Sequence, residues 1–172
     1  MSLGSKDSQS VDPGGRLRLN LPVGVSLHES PHIVTGNGIT TELFRPEWLT
    51  PTLPLNHLIH VRLHGFAVSA WHRHELQTDH IFVVGGALRL VMFDGREQAP
   101  TYGLVSELKL GAVRPTLVRI PPGVWHGLQN LSADETTFLN YFDRPYCYEN
   151  PDEWRLPADT DQIPYRFVRR GG

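Results

Sequence analysis

Two histidines separated by one residue, His72 and His74, are followed across four residues by Asp79 and across six more by Gly86. On an extended strand, residues two apart share a face and lie roughly 6 to 7 Å along the chain, so both imidazoles can converge on one ion while a hairpin brings in Asp79. Further along, Pro121-Pro122-Gly123-Val124-Trp125-His126 ends on a third histidine, with Asn130 beyond it. A proline-glycine turn fixes the chain direction there, so that His126 can re-enter from a neighbouring strand. Three neutral imidazoles and one carboxylate form a borderline-hard donor set that could take Fe, Mn, Ni or Zn, with positions left open for water or substrate. A single histidine is ordinarily a packed or solvated group; four spaced positions point to a site.

Such a constellation needs short strands to hold it. Apolar segments recur between turn formers at residues 39–44, 57–63, 66–72, 81–84, 87–93, 102–110, 116–120 and 136–142. Between them lie Gly85-Gly86, Asp94-Gly95, Pro121-Pro122-Gly123 and Ser132-Ala133-Asp134, which suit hairpins or short loops. The pattern predicts an all-β barrel or sandwich. Helical period is confined to two candidates of about one turn each, 46–49 and 151–154. In 57–64, Ile59, Val61 and Leu63 alternate with His60, Arg62 and His64, placing three polar side chains on one face. That face is solvated or at the barrel mouth, or else lined by ligand, in which case Arg62 is a substrate-binding candidate.

Length and composition set the bounds. With 172 residues, 40% of them hydrophobic, one globular domain is expected. Residues 1–16 are rich in Ser, Gly and Asp and are set aside as a disordered segment or cloning remnant; residues 17–172 form the single barrel domain with a C-terminal extension. A net charge of −2 without a dense Lys/Arg run offers no footprint for nucleic acid or an anionic membrane. The longest apolar runs fall far short of the ~20 residues that span a bilayer. The one cysteine, Cys147, permits no intrachain disulfide, and a soluble, cytoplasmic protein is the expectation. Cys147 lies between tyrosines with no activating pattern and reads as an idle or packed thiol.

The two histidine segments resemble the paired motifs of cupins, with Asp79 where that family usually carries Glu and Pro115 where its second motif opens with Gly. The resemblance implies a cupin-type double-stranded β-helix, or jelly-roll barrel, with His72, His74, Asp79 and His126 placed to hold a divalent metal.

From about residue 35 to 167 the chain also resembles the dTDP-4-dehydrorhamnose 3,5-epimerase family. Gly38-Ile39-Thr40-Thr41-Glu42-Leu43-Phe44-Arg45, the segment 120–132 and the tail Arg144-Pro145-Tyr146-Cys147-Tyr148 carry the likeness. It implies His72 as base, Tyr146 as acid with Tyr148 as competitor, and Asp159, or failing that Asp161, as the carboxylate orienting His72. It also implies a homodimer, and a substrate that is a keto sugar or nucleotide-linked deoxysugar. A near-neutral histidine can remove a proton beside a ketone while a phenol on the opposite face returns one. The enolate between these steps requires a cation or strong donors at its oxygen. Yet Asp79 and Ser69 stand where the family has a lysine and an arginine, and an early arginine corresponds to Asn37 or nearby. Further substrate contacts are expected from Glu42, His126 and Trp71; Trp125, Tyr141 and Trp154 could also stack on a ring, although core packing is the ordinary role of such aromatics. Three activities fit: a sugar epimerase or isomerase, a metal-dependent cupin enzyme acting on a small carbonyl or carboxylate, and a non-catalytic sugar-binding barrel.

Overall fold

Short runs with period-two burial, separated by glycine and proline turns, fold into strands because each strand can bury one face against a second sheet. The computed structural model describes residues 9–49 and 54–168. Its strands are β1 (Ser26–Glu29), β2 (His32–Thr35), β3 (Gly38–Thr41), β4 (His57–Leu63), β5 (Val68–Arg73), β6 (Asp79–Gly85), β7 (Ala87–Asp94), β8 (Val105–Gly111), β9 (Thr116–Ile120), β10 (Val124–Asn130), β11 (Thr136–Phe142) and β12 (Trp154–Arg155). One five-stranded sheet runs β1-β9-β6-β11-β4, the other β12-β5-β10-β7-β8, and β2-β3 forms a separate hairpin. The two large sheets make the jelly roll that the cupin resemblance implies.

Alternation decides which side chains meet between the sheets. From β6 and β7, Ile81, Val83, Leu88, Leu90 and Met92 join Val118, Ile120, Leu128 and Phe138 in the main core. Each such fully buried aliphatic contributes about 1.5–3 kcal/mol. Phe82, one residue out of phase, packs outside the first sheet with Leu49 and Leu117. Trp71 and Val91 point outward from the second sheet, where Ile163, Tyr165 and Phe167 of the C-terminal extension cover them.

Several expectations need correction. Residues 46–49 do contain a 3-10 turn, Pro46–Trp48, but 151–154 is no helix: it leads into β12, which lies on the edge of β5 with Trp154 opposite Arg73 and Arg155 opposite His72. Strand β10 escapes the hydrophobic-run criterion because Trp-His-Gly-Leu-Gln-Asn places polar residues on both faces, yet it pairs along its whole length with β7. Residues 1–8 lie outside the described residues. Residues 9–16 form a turn in which the Asp12 carboxylate accepts from the amides of Gly14 and Arg16, both at 2.9 Å, with Val11 bridging Leu17.

One irregularity matters for the site. Between His126↔His72 and Leu128↔Ser69, β10 advances two residues while β5 advances three. This bulge breaks the alternation, so that Ser69 and His72, three apart, both face inward while Ala70 and Trp71 both pack outward. Gly127 lies opposite the extra residue, and a Cβ there would sit 2.7 Å from both the Ala70 Cβ and the Phe167 ring. Gly127→Val is therefore expected to lower stability by about 1–3 kcal/mol, with Gly127→Ala less affected. Urea denaturation would register this as a lower midpoint at unchanged slope; an unchanged midpoint would show that the β5 bulge yields freely.

Candidate active site

A cavity of about 780 Å³ opens between the sheets. Inward residues of β4 and β11, among them Ile59, Val61, Phe138 and Phe142, give it apolar walls. Polar groups gather at one end, supplied by β5, β6, β10 and the segment after β11.

His72 stands at the centre of this end. Its Nδ1 lies 3.3 Å from Glu153 Oε1, while Ser69 Oγ at 2.9 Å and the Arg155 guanidinium at 3.3 Å meet its Nε2. A carboxylate on one ring nitrogen and donors on the other select the tautomer that carries hydrogen on Nδ1 and a lone pair on Nε2. Burial, then the neighbouring His126 and the Arg155 charge, lower the His72 pKa to about 4 against the opposing pull of Glu153. The neutral imidazole keeps one lone pair on Nε2, which can accept a proton once Ser69 and Arg155 release it.

The short strand β12 presents Glu153 and Arg155. Segment 152–156 is fixed at three places. The Asp152 carboxylate accepts from the amides of Glu75, Leu76 and Gln77 at 2.8–2.9 Å. Although burial favours its neutral acid, these donors hold the carboxyl below its usual range. On the reverse face the Arg73 guanidinium lies between Trp154 and Trp125, 5.0 and 5.3 Å from the ring centres. Leu156 exchanges backbone hydrogen bonds with Trp71.

Behind His72 sits a second cluster around Asp79, which is 2% exposed. Gln77 donates to its Oδ1 at 2.7 Å and Asn140 to its Oδ2 at 3.2 Å; His126 and His74 Nε2 lie 3.3 and 3.6 Å from Oδ2. Burial alone would raise the Asp79 pKa, but the hydrogen bonds from His126 and His74 outweigh it and hold the carboxyl well below its usual range. For His74 burial opposes the charged form, yet Asp79, together with the Asp152 carbonyl at Nδ1, raises its pKa. His74, Asp79 and His126 bring one donor atom each within 4.8 Å of one another, compact enough for an ion. His72, the fourth ligand expected from sequence, is not in that group; its nitrogens meet Glu153, Ser69 and Arg155 instead.

The other expected site residues divide. Tyr146 and Tyr148 both line the cavity and pack edge to face; Tyr146 is 38% exposed and Tyr148 81%. Asp159 is exposed in a turn and is not among the residues lining the cavity, and Asp161 pairs with Arg166, so the carboxylate beside His72 is Glu153 instead. Trp71 is fully buried behind the sheet and cannot reach a ligand in the cavity. Arg62 points outward and pairs with Glu135, while Glu42 is exposed and pairs with Arg45; neither lines the cavity. Sequence reasoning missed Glu153 and Arg155. The signal was a carboxylate and a cation flanking an aromatic in Glu-Trp-Arg, a period-two pattern hidden by reading 151–154 as a helical turn.

Comparison with known proteins agrees with this geometry. Residues 60–167 match the model of the dTDP-4-dehydrorhamnose 3,5-epimerase family. A probable low-salt glycan biosynthesis epimerase, Agl13 of Haloferax volcanii, is 34% identical over 123 residues, 71% of this chain and 79% of that protein. The spore coat polysaccharide biosynthesis protein SpsL of Bacillus subtilis is 33% identical over 100 residues, 58% of this chain and 66% of its own length. The crystal structure of a dTDP sugar isomerase from Desulfovibrio desulfuricans G20 superposes with a TM-score of 0.76 at 29% identity, covering 84% of this chain and 90% of that one. The jelly roll, the inward His72 with its carboxylate partner and these matches together establish that the chain belongs to the dTDP-4-dehydrorhamnose 3,5-epimerase family.

Proposed function

We propose that this protein epimerises or isomerises a nucleotide-linked 4-keto sugar by proton transfer, with His72 as base and Tyr146 as acid. The observation that carries this reading is the His72 imidazole, held by Glu153 at Nδ1 and lining a cavity that two tyrosines border. His72 removes a proton from the carbon beside the ketone, an enolate forms, and Tyr146 protonates that carbon from the opposite face; solvent then returns both residues to their starting states. Tyr146 is preferred to Tyr148 as acid because it is the less exposed of the two and its amide is tied to His57 Nδ1 at 3.3 Å. Matches to a dTDP sugar isomerase and to an epimerase of glycan biosynthesis support the substrate class.

The reading has His72 act as a base free of metal. The Asp79 cluster favours a second reading, in which His74, Asp79 and His126 hold a divalent ion that polarises the ketone. We also infer a homodimer. The β2-β3 hairpin leaves the cross-strand partners Val34 and Ile39 at 76% and 67% exposure, an apolar patch suited to a second copy of the chain. Among the described residues no helix is long and apolar enough to cross a membrane, and Cys147 is a free thiol; a cytoplasmic location fits both.

The direct test is incorporation of solvent deuterium beside the carbonyl of a dTDP-linked 4-keto-6-deoxyhexose, followed by NMR. Exchange is expected in the wild-type protein, with a fall of about 10²–10⁴-fold in His72→Asn and in Tyr146→Phe; full activity in His72→Asn would refute the assignment. The pH dependence has a definite sign. The neutral imidazole is the active form and its pKa lies below that of free histidine, so kcat/KM should stay level from about pH 7 to 5 and fall only toward 4. An ordinary histidine would already lose about nine-tenths of the rate by pH 5.5. Inductively coupled plasma mass spectrometry on protein purified without added metal or chelator should find far less than one ion per chain; a stoichiometric metal lost in Asp79→Ala would promote the second reading. Light scattering should report a dimer that Val34→Glu converts to monomer, and a wild-type monomer would remove that part of the proposal.

A further inference from the structure

The epimerisation proposed above leaves a negative charge on the sugar's carbonyl oxygen between the two proton transfers, and this inference rests on that reading. Positions 69 and 79, which flank the base in sequence, carry no cation. Among the described residues lining the cavity, the permanently positive side chains are Arg144 and Arg155. Arg144 donates through Nε to the carbonyl of Leu76 in the loop after β5. Arg155 instead lies directly at the base, with one guanidinium nitrogen 3.3 Å from His72 Nε2 and another 2.5 Å from Glu153 Oε1.

The hydrogen-bond count at Nε2 shows what Arg155 is poised to do. Ser69 Oγ and Arg155 both converge on this nitrogen, which has a single lone pair to accept with. For the substrate's C–H to reach that lone pair both donors must give it up, and they are then left without an acceptor. The new acceptor is close by, because the enolate oxygen is attached to the carbon next to the one that has just lost its proton. The Arg155 guanidinium, 3.3 Å from Nε2, needs only a short movement to turn from the nitrogen to that oxygen.

Charge balance supports the same arrangement. Before reaction Glu153 and Arg155 neutralise each other and His72 is uncharged. Afterwards the imidazolium faces Glu153 and the enolate faces Arg155, so each new charge has an opposite neighbour in a cavity with apolar walls. Without the enolate, a guanidinium beside an imidazolium would be repelled, so the cation favours the charge-separated state in which the anion lies between them. Arg155 is also placed before substrate arrives: β12 is paired to β5 with Arg155 opposite His72, and Trp154 on the reverse face is stacked on Arg73.

We propose that Arg155, assisted by Ser69, is the catalytic group that stabilises the enolate oxygen when His72 has taken the proton. The test uses the full chain and the deuterium-exchange assay on a dTDP-linked 4-keto-6-deoxyhexose, with Arg155→Ala, Arg155→Gln, Arg155→Lys and Ser69→Ala. Arg155→Ala and Arg155→Gln are expected to lower kcat by about 10²–10³-fold with KM changed by less than about fivefold. Arg155→Lys should keep part of the rate, since a point charge replaces a fork of donors, and Ser69→Ala should lose less than Arg155→Ala. A purely substrate-binding arginine would instead raise KM and leave kcat intact. Wild-type exchange with kcat of both neutral variants within about threefold of wild type, or with a loss confined to KM, overturns the role of Arg155 and leaves the proposed function standing. Absence of exchange in the wild-type protein overturns the proposed function and this role with it.

Discussion

The ionised carboxyl of Asp79 is shut away from water, and that one constraint organises the end of the barrel where the site lies. A carboxylate so placed is tolerated only when donors replace the water it has lost. The donors come from separate parts of the chain: Gln77 ahead of β6, Asn140 from β11, His126 from β10 and His74 just past β5. Asn140 belongs to one sheet and His126 to the other, so satisfying a single charge joins the two layers of the jelly roll at the cavity. The imidazoles are fixed as a consequence. His126 Nδ1 is bonded to the carbonyl of Val124 and His74 Nδ1 to that of Asp152, which leaves neither ring free to turn.

His72 is built on a different basis. It packs face to face with His126 at a ring separation of 5.8 Å, yet its own partners are Glu153, Arg155 and Ser69. The β5 bulge brings Ser69 onto its side, and the edge strand β12 brings the other two. An edge strand of two residues would be marginal alone. Here the Asp152 cap at the cavity wall holds it, together with the Trp154–Arg73–Trp125 stack and the Leu156–Trp71 backbone pair on the reverse face. The groups that set the His72 tautomer and lower its pKa therefore depend in part on packing on the reverse face of the sheet.

Two neighbouring clusters thus divide the electrostatics. Asp79 raises the pKa of His74, while burial and nearby positive charge lower that of His72. Opposite tendencies in histidines two residues apart are the usual signature of groups tuned for separate tasks.

The sequence by itself determined the strand-rich class, the pairing of a His-x-His segment with a Pro-Gly-anchored histidine, and the tyrosines after β11, because hydrophobic period, turn residues and motif spacing are local properties. The outward direction of Arg62 was open on the same grounds, since alternation separates two faces without saying which one meets the core. Only the tertiary structure decided that Glu153 and not Asp159 reaches His72, that Trp71 faces the C-terminal extension, and that His72 stands apart from the three donors around Asp79. Each of these depends on a strand register or a bulge. A single inserted residue in β5 turns Ser69 inward and Trp71 outward, and the pairing of β12 with β5 sets Arg155 against His72; such non-local geometry leaves no trace in the spacing of residues along the chain.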